Sequence, residues 1–108
     1  MNRWTHLIVL RPTRYEMLSD GLTDEETRVV GEHFAYCQRL VAEGKMLLAG
    51  RTFGPVEKTI GIGIIAAESD EEAQIIVDSD PAIVNGVMTA ELQPYRVALL
   101  CENPHNTN

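Results

Sequence analysis

The sequence predicts an α+β fold, in which two helices cover one face of a four-stranded antiparallel sheet. Segments with strand-like and helix-like patterns follow one another in the order strand, helix, strand, strand, helix, strand. Each helical segment begins with a capping signal, and glycine or proline turns separate the segments. Short connections and right-handed crossovers fold this order into a split βαβ sandwich.

The first strand is predicted over Trp4–Leu10, where β-branched and apolar residues dominate. Arg11-Pro12 ends this strand, since proline cannot donate a hydrogen bond to a sheet. The loop that follows, up to Gly21, begins with the cations Arg11 and Arg14. Loops at strand ends often carry binding groups, so this loop is a candidate ligand contact, and a solvated connection is the alternative.

The longest element is a predicted helix that starts after Thr23 and closes at Gly44. Thr23 and Glu26 have the spacing of a capping box, in which each side chain accepts a hydrogen bond from the other residue's backbone. Gly44 can adopt the left-handed conformation that ends a helix. Between these signals an apolar stripe recurs at helical spacing, and we expect it to face the core: Val30, Phe34, Cys37 and Val41.

His33 lies about 60° from the centre of this stripe, at the border between the apolar and polar faces of the helix. A histidine at such a border can reach a cavity and a polar partner at the same time. Imidazole is also the side chain best suited to proton transfer near neutral pH. His33 is therefore a candidate catalytic residue, and a hydrogen-bonded structural histidine is the alternative.

The second half of the chain supplies the other three strands and the second helix. Strands are predicted over Met46–Phe53, Thr59–Ala67 and Val87–Cys101, the last interrupted at Pro94 by a bulge or an edge position. A second capping box opens a helix over Asp70–Asp78.

The predicted third strand has two different faces. Ile60, Ile62 and Ile64 alternate with Gly61 and Gly63. We expect the isoleucines to pack under the helices and the glycines to leave space on the opposite face. That opposite face needs a cover, and a second copy packed sheet against sheet would supply one, so the sequence predicts a homodimer.

Asp80-Pro81 breaks the helical pattern after the second helix, because the residue before a proline disfavours the helical conformation. Pro81 suits the first position of a new turn, with Asp80 as its N-cap. The local sequence therefore predicts a structural, capping role for Asp80.

Length and charge predict one domain over residues 1–101, followed by a polar tail over residues 102–108. The formal net charge of -7 argues against binding to nucleic acid or anionic membranes. No apolar run is long enough to span a bilayer, and the first residues lack a signal-peptide pattern. Cys37 and Cys101 are expected as buried thiols in a reducing compartment, which favours the cytoplasm. Their spacing matches no metal or redox motif, so we expect neither a metal site nor a cofactor.

A set of short motifs runs through most of the chain: His33 within HFAYCQRL, Gly44 with LLAG at 47–50, Asp80-Pro81, Gly86-Val87 and Pro94-Tyr95. In order and spacing these motifs resemble the YciI-like (YCII-related) family, over the chain from the first strand to Cys101. The resemblance implies a ferredoxin-like domain that forms a dimeric α+β barrel. It also implies an enzyme built around a His–Asp pair, and one branch of the family removes chloride from chlorinated hydroxyquinols.

By position, the resemblance makes His33 the family histidine and Asp80 the family aspartate. In such a pair Asp80 accepts the Nδ1–H of His33, and Nε2 exchanges a proton with the substrate. The sequence departs from the family at Arg51, where proline is common, and in the loop that begins at Arg11. Both departures favour an anionic ligand, with Arg51 and Arg11 as candidate contacts. A plain surface position is the alternative for Arg51.

Together these features predict a cytoplasmic, homodimeric enzyme that performs acid–base chemistry of the lyase, isomerase or hydrolase type on a small phenolic or acidic molecule. The sequence shows no activated nucleophile and no set of three metal ligands. Two alternatives stay open: a non-catalytic ligand-binding or accessory module that uses the same cavity, and a protein whose function is the dimer itself.

Overall fold

The computed structural model describes residues 3–105, and the predicted order of strands and long helices is confirmed. Two short helices and one 3₁₀ turn, at Val56–Lys58, are added to that order. The elements are β1 (His6–Pro12), α1 (Glu16–Ser19), α2 (Asp24–Ala42), β2 (Met46–Arg51), β3 (Gly61–Ile65), α3 (Asp70–Asp78), α4 (Pro81–Val84) and β4 (Met88–Pro94). Within the described residues, no helix has both the length and the apolarity needed to cross a bilayer.

The four strands form a single sheet in the order β2-β3-β1-β4, and every neighbouring pair is antiparallel. Both long helices pack on the same face of this sheet. The main core cluster joins three sheet residues to side chains of α2 and α3: Ile8, Met46, Ile65, Leu40, Ala73 and Val77. This is the ferredoxin-like α+β arrangement that the sequence predicts.

The ends of α2 follow the predicted capping chemistry. Thr23 Oγ1 accepts the backbone N–H of Glu26 at 3.1 Å, and the Glu26 carboxylate accepts the N–H of Thr23 at 2.9 Å. Arg14 donates two hydrogen bonds to the same carboxylate, so the loop after β1 is tied to the start of the helix. At the other end Gly44 has a φ of 75°, in the left-handed region that favours glycine.

The predicted core stripe of α2 is wrong in part, because the helix turns a neighbouring arc of its surface towards the core. Val29 and Leu40 are buried, with 0% and 5% of their surface exposed, whereas Phe34 and Val41 are 63% and 48% exposed. The apolar arc of this helix is wider than four positions, and spacing alone does not say which part of the arc meets the sheet. Phe34 and Val41 instead lie along the edge of a cavity.

The two faces of β3 are the reverse of the prediction. Gly63 lies opposite Ile8 of β1, a core residue, and residues directly opposite each other share one face of a sheet. The glycines therefore lie under the helices, while Ile62 and Ile64 lie on the open face. Larger side chains from neighbouring strands fill the core, which is why glycine is accommodated beneath α2.

The last strand ends at Pro94 rather than at Cys101. Pro94 is paired with His6, the first residue of β1, and one further backbone hydrogen bond follows, from the Tyr95 N–H to the Thr5 carbonyl oxygen at 2.8 Å. Leu99 is 93% exposed and Cys101 is exposed, which corrects the prediction of a buried thiol in a strand. Of the predicted tail, residues 106–108 lie outside the described residues.

Candidate functional site

A cavity of about 820 Å³ lies between α2 and the helix-facing side of the sheet. Leu10, Gly61 and Gly63 line it on the sheet side, where the glycines present no side chain. A Cβ atom at Gly61 would stand 3.4 Å from the Leu10 Cβ and 3.6 Å from the Gly50 backbone oxygen, so a methyl group would fit there in ordinary van der Waals contact. Both glycines line the cavity, so a longer side chain at either position would extend into it.

His33 and Asp80 meet at this cavity, and both line it. The Nδ1 atom of His33 lies 2.7 Å from Oδ2 and 2.9 Å from Oδ1 of Asp80. α2 carries the histidine, and the turn between α3 and α4 carries the aspartate. The two residues are 47 positions apart in the sequence. With Nδ1 protonated, the ring donates to the carboxylate, and Nε2 is the nitrogen left for other partners.

Asp80 has a structural task as well as its contact with His33. Its Oδ1 atom accepts the backbone N–H of Ala82 at 2.9 Å, which makes Asp80 the N-cap of α4 as predicted. Pro81 occupies the first turn of that helix. Asp80 is only 7% exposed, and the cap and the imidazole together satisfy its buried carboxylate.

The electrostatics of the site favour the charged form of His33. Burial by itself would lower the pKa of this histidine. The hydrogen bond and the charge of Asp80, together with the nearby Cys37 sulfur, outweigh burial and raise the pKa of His33 to about 10. At neutral pH the ring is therefore an imidazolium, held at Nδ1 and able to donate a proton from Nε2.

Cys37 is a further member of this site that the sequence analysis assigned only to the core stripe. Its Sγ atom lies 3.9 Å from the Nε2 atom of His33, and it lines the cavity. The thiol is half-buried rather than buried. Its position four residues after His33 places both side chains on one face of α2, and this spacing is the sequence signal that could have found it.

Ligand atoms of His33, Cys37 and Asp80 lie within 4.8 Å of one another, and they form the one such group of three among the described residues. The sequence analysis saw no three-ligand set, because Asp80 is distant in the chain. Both carboxylate oxygens of Asp80 face Nδ1, and one also caps α4. Asp80 contacts Nδ1 of His33 and Cys37 contacts Nε2, so the two residues lie on opposite sides of the imidazole ring. The three side chains therefore form a row of polar contacts, and we assign no metal to them.

Tyr36 also lines the cavity, and it fixes α2 against α3. Its hydroxyl donates to the backbone oxygen of Ile76 at 2.6 Å. Burial and the negative charge of Asp80 raise the pKa of Tyr36, so this phenol stays neutral. Sequence analysis gave Tyr36 no role, and its hydrogen bond to a backbone atom leaves no signal in the spacing of residues.

The two candidate arginines fall on opposite sides of the sheet. Arg51 lies opposite Gly61 in the sheet and lines the cavity, with its guanidinium 4.8 Å from the centre of the Phe53 ring. Arg11 forms an ion pair with Glu91 of β4 on the open face. The structure therefore brings Arg51 to the cavity that holds His33, and it does not bring Arg11 there.

The chain belongs to the YCII-related domain family, whose model matches residues 6–93. Its structure is also similar to that of 5-chloro-2-hydroxyhydroquinone dehydrochlorinase from Burkholderia phenoliruptrix AC1100, solved in complex with 2,5-dihydroxybenzoquinone. The TM-score is 0.59 at 23% sequence identity, over 83% of this chain and 92% of that chain. A likeness at this level of identity is a likeness of fold. No curated protein matches the chain in sequence.

Proposed function

We propose that this protein is an enzyme that acts on small phenolic or quinone-type molecules, with His33 as the proton-transfer group and Asp80 as the residue that orients it. One observation carries the proposal. The imidazole is bound at Nδ1 by a buried carboxylate, its charged form is favoured, and the residue lines a largely apolar cavity. A charged, oriented proton donor at an apolar cavity is an arrangement suited to general acid–base catalysis.

The lining of the cavity suits an apolar ring with anionic oxygens. Leu10 and the glycines of β3 offer an apolar surface, while the His33 imidazolium and Arg51 offer positive charge. A phenolate or hydroxyquinone has both properties, because its ring is apolar and its oxygens carry negative charge. The apolar lining and the positive charge together therefore favour this class over cationic ligands.

Removal of chloride from a chlorinated hydroxyquinol requires proton transfers but no oxidant or reductant. His33 donates its Nε2 proton to the ring carbon that bears chlorine, as an electron pair moves in from a phenolate oxygen. A second hydroxyl then loses its proton, chloride leaves with its bonding pair, and a quinone forms. The net loss is one proton and one chloride ion, so neither an oxidant nor a second substrate is required.

Release of chloride from 5-chloro-2-hydroxyhydroquinone, the compound named for the dehydrochlorinase of similar structure, tests the proposal. We expect wild-type protein to release chloride. His33→Gln and Asp80→Asn should each lower kcat by about 10²-fold or more, the usual contribution of a positioned acid or base. His105→Gln makes the same substitution at an exposed position after the last strand, so it should leave the rate unchanged.

The competing function is a ligand-binding module without catalysis. It predicts that wild-type protein binds 2,5-dihydroxybenzoquinone but releases no chloride, and that His33→Gln binds this probe with wild-type affinity. That combination would contradict the catalytic proposal while keeping the cavity as the ligand site.

We also propose that the protein acts as a homodimer, packed through the open face of the sheet. This face carries apolar side chains from three adjacent strands, on the side that no helix covers: Leu7, Val9, Leu48, Ile62 and Ile64. Removing this surface from water would supply the driving force for association. A cytoplasmic location stays a prediction from the sequence.

A further inference from the structure

The imidazole of His33 stands between two groups that can carry negative charge. Asp80 occupies Nδ1 at 2.7 Å, and the Cys37 sulfur stands 3.9 Å from Nε2, one helical turn further along α2. In order, this is a thiol, an imidazole and a carboxylate. Such an order, with the base oriented by a third group, is the arrangement in which a cysteine becomes a nucleophile.

The lining of the cavity defines which charged and titratable groups surround the thiol. The charged side chains and titratable groups that line the cavity are His33, Tyr36 and Cys37 on α2, Asp80 at the start of α4, and Arg51 on β2. Among the described residues that line the cavity, β1, β3 and α3 contribute no titratable side chain. Asp80 faces the far side of the imidazole, so the positive ring is the group nearest to the sulfur. A thiol beside an imidazolium ionises more readily than a free thiol.

We propose that Cys37 is a nucleophile, paired as a thiolate with the His33 imidazolium, that adds to the electrophilic carbon of a conjugated carbonyl compound bound in the cavity. The thiol proton rests on Nε2 of His33. As the S–C bond forms, the electron pair of the C=C bond shifts to form a new double bond to the carbonyl carbon, the C=O π pair moves to the oxygen, and His33 returns the proton to that oxygen. The step is an addition, so nothing is oxidised or reduced and no other reactant is needed.

This inference rests on the same cavity and on the same imidazolium as the proposed function, but it concerns a different reaction. Chloride release requires no bond to sulfur, and thiol addition requires no chloride. A simple core role for Cys37 is the competing explanation, since cysteine often packs as a small apolar residue. That explanation predicts a thiol that reacts slowly or with no dependence on His33.

The test compares the two cysteines of the chain with N-ethylmaleimide, a small conjugated carbonyl compound, between pH 6 and pH 8. Cys101→Ser leaves Cys37 as the thiol under study, and Cys37→Ser leaves the exposed Cys101 as the reference thiol. A thiol with a pKa of about 8.5 slows about 80-fold over this interval, because its thiolate fraction falls by that factor. We expect the rate at Cys37 to fall less than about fivefold, as an ion-paired thiolate requires.

Variants of His33 and Asp80, made in the Cys101→Ser background, show whether these two residues cause the reactivity of Cys37. His33→Gln should lower the rate at Cys37 at pH 6 by about tenfold or more and restore a steep dependence on pH. Asp80→Asn should act in the same direction and serves as the second variant if His33→Gln does not fold. In both variants the ultraviolet absorbance of the Cys37 thiolate at pH 6 should fall together with the rate of reaction at Cys37.

Three results would overturn the inference. In the first, the rate at Cys37 depends on pH as steeply as the rate at Cys101. In the second, Cys37 fails to react at any pH at which Cys101 reacts, because a nucleophile must be reachable from the cavity. In the third, folded His33→Gln and Asp80→Asn proteins keep the wild-type profile of Cys37.

Discussion

At the scale of single residues, Asp80 contacts the His33 imidazole and also stabilises the fold as a helix cap. One oxygen caps α4 through the Ala82 N–H, and both oxygens face the His33 ring. These two tasks can be separated experimentally. Asparagine is as good an N-cap as aspartate, so Asp80→Asn keeps the cap and removes the charge, whereas Asp80→Ala removes both.

The first prediction concerns the pKa of His33 in these variants, measured by NMR titration of the imidazole. In wild-type protein we expect titration near pH 10, because the Asp80 charge and hydrogen bond outweigh burial. Asp80→Asn should bring the pKa of His33 down towards or below the unperturbed value of about 6.5, since burial then acts without an opposing charge. An unchanged titration curve would mean that Asp80 serves only as a helix cap.

The same pair predicts how stability depends on pH. The pKa of His33 is higher in the folded protein than in the unfolded chain, so its stabilising contribution is complete below pH ~6.5 and is lost as pH rises through about 10. The difference in unfolding free energy between wild-type and Asp80→Asn, from urea titrations, should therefore be largest near pH 6 and shrink towards pH 10. Asp80→Ala should cost about 1 kcal/mol more than Asp80→Asn at every pH, through the lost cap. A difference that stays constant from pH 6 to pH 10 would exclude the charge pair as its source.

At the scale of elements, the caps and turns of the chain are predictable because they depend on neighbouring residues. The box formed by Thr23 and Glu26, the left-handed Gly44 and the cap at Asp80 all have the predicted form. The orientation of each face is not predictable in this way. Periodicity separates one face of β3 from the other, but which of them meets α2 depends on core side chains from other strands, such as Ile8.

The third prediction uses Gly61, which lines the cavity on the β3 side. Gly61→Ala adds a Cβ at ordinary contact distance from Leu10, so it should fold and bind ligand as wild-type protein does. Gly61→Val extends further into the cavity and also suits a strand, so it should fold but bind 2,5-dihydroxybenzoquinone about tenfold more weakly. Isothermal titration calorimetry measures the affinity, and thermal unfolding checks the fold. Wild-type affinity in a folded Gly61→Val protein would place the ligand elsewhere.

At the scale of the whole molecule, the order of the segments is enough to predict the topology, since few arrangements satisfy short connections and right-handed crossovers. The site is a different matter. His33 is recognisable from its position on the helix, but no local pattern links it to Asp80, and only the family resemblance pairs them. Cys37 was missed because a cysteine on an apolar stripe has the same spacing as a core residue.

The last prediction concerns the open face of the sheet, where Val9 lies beside Ile62 and Glu91 in the neighbouring strands. If two copies pack through this face, sedimentation velocity should give a mass twice that of the chain, and Val9→Asp should shift it to the mass of one chain. A buried, unpaired carboxylate in a dimer interface costs several kcal/mol, enough to dissociate a modest dimer. Val84→Asp is the matched control, since it makes the same substitution at a residue of α4 that is 68% exposed. A wild-type protein that sediments as a single chain, or a Val84→Asp protein that dissociates as readily as Val9→Asp, would contradict packing through the open face.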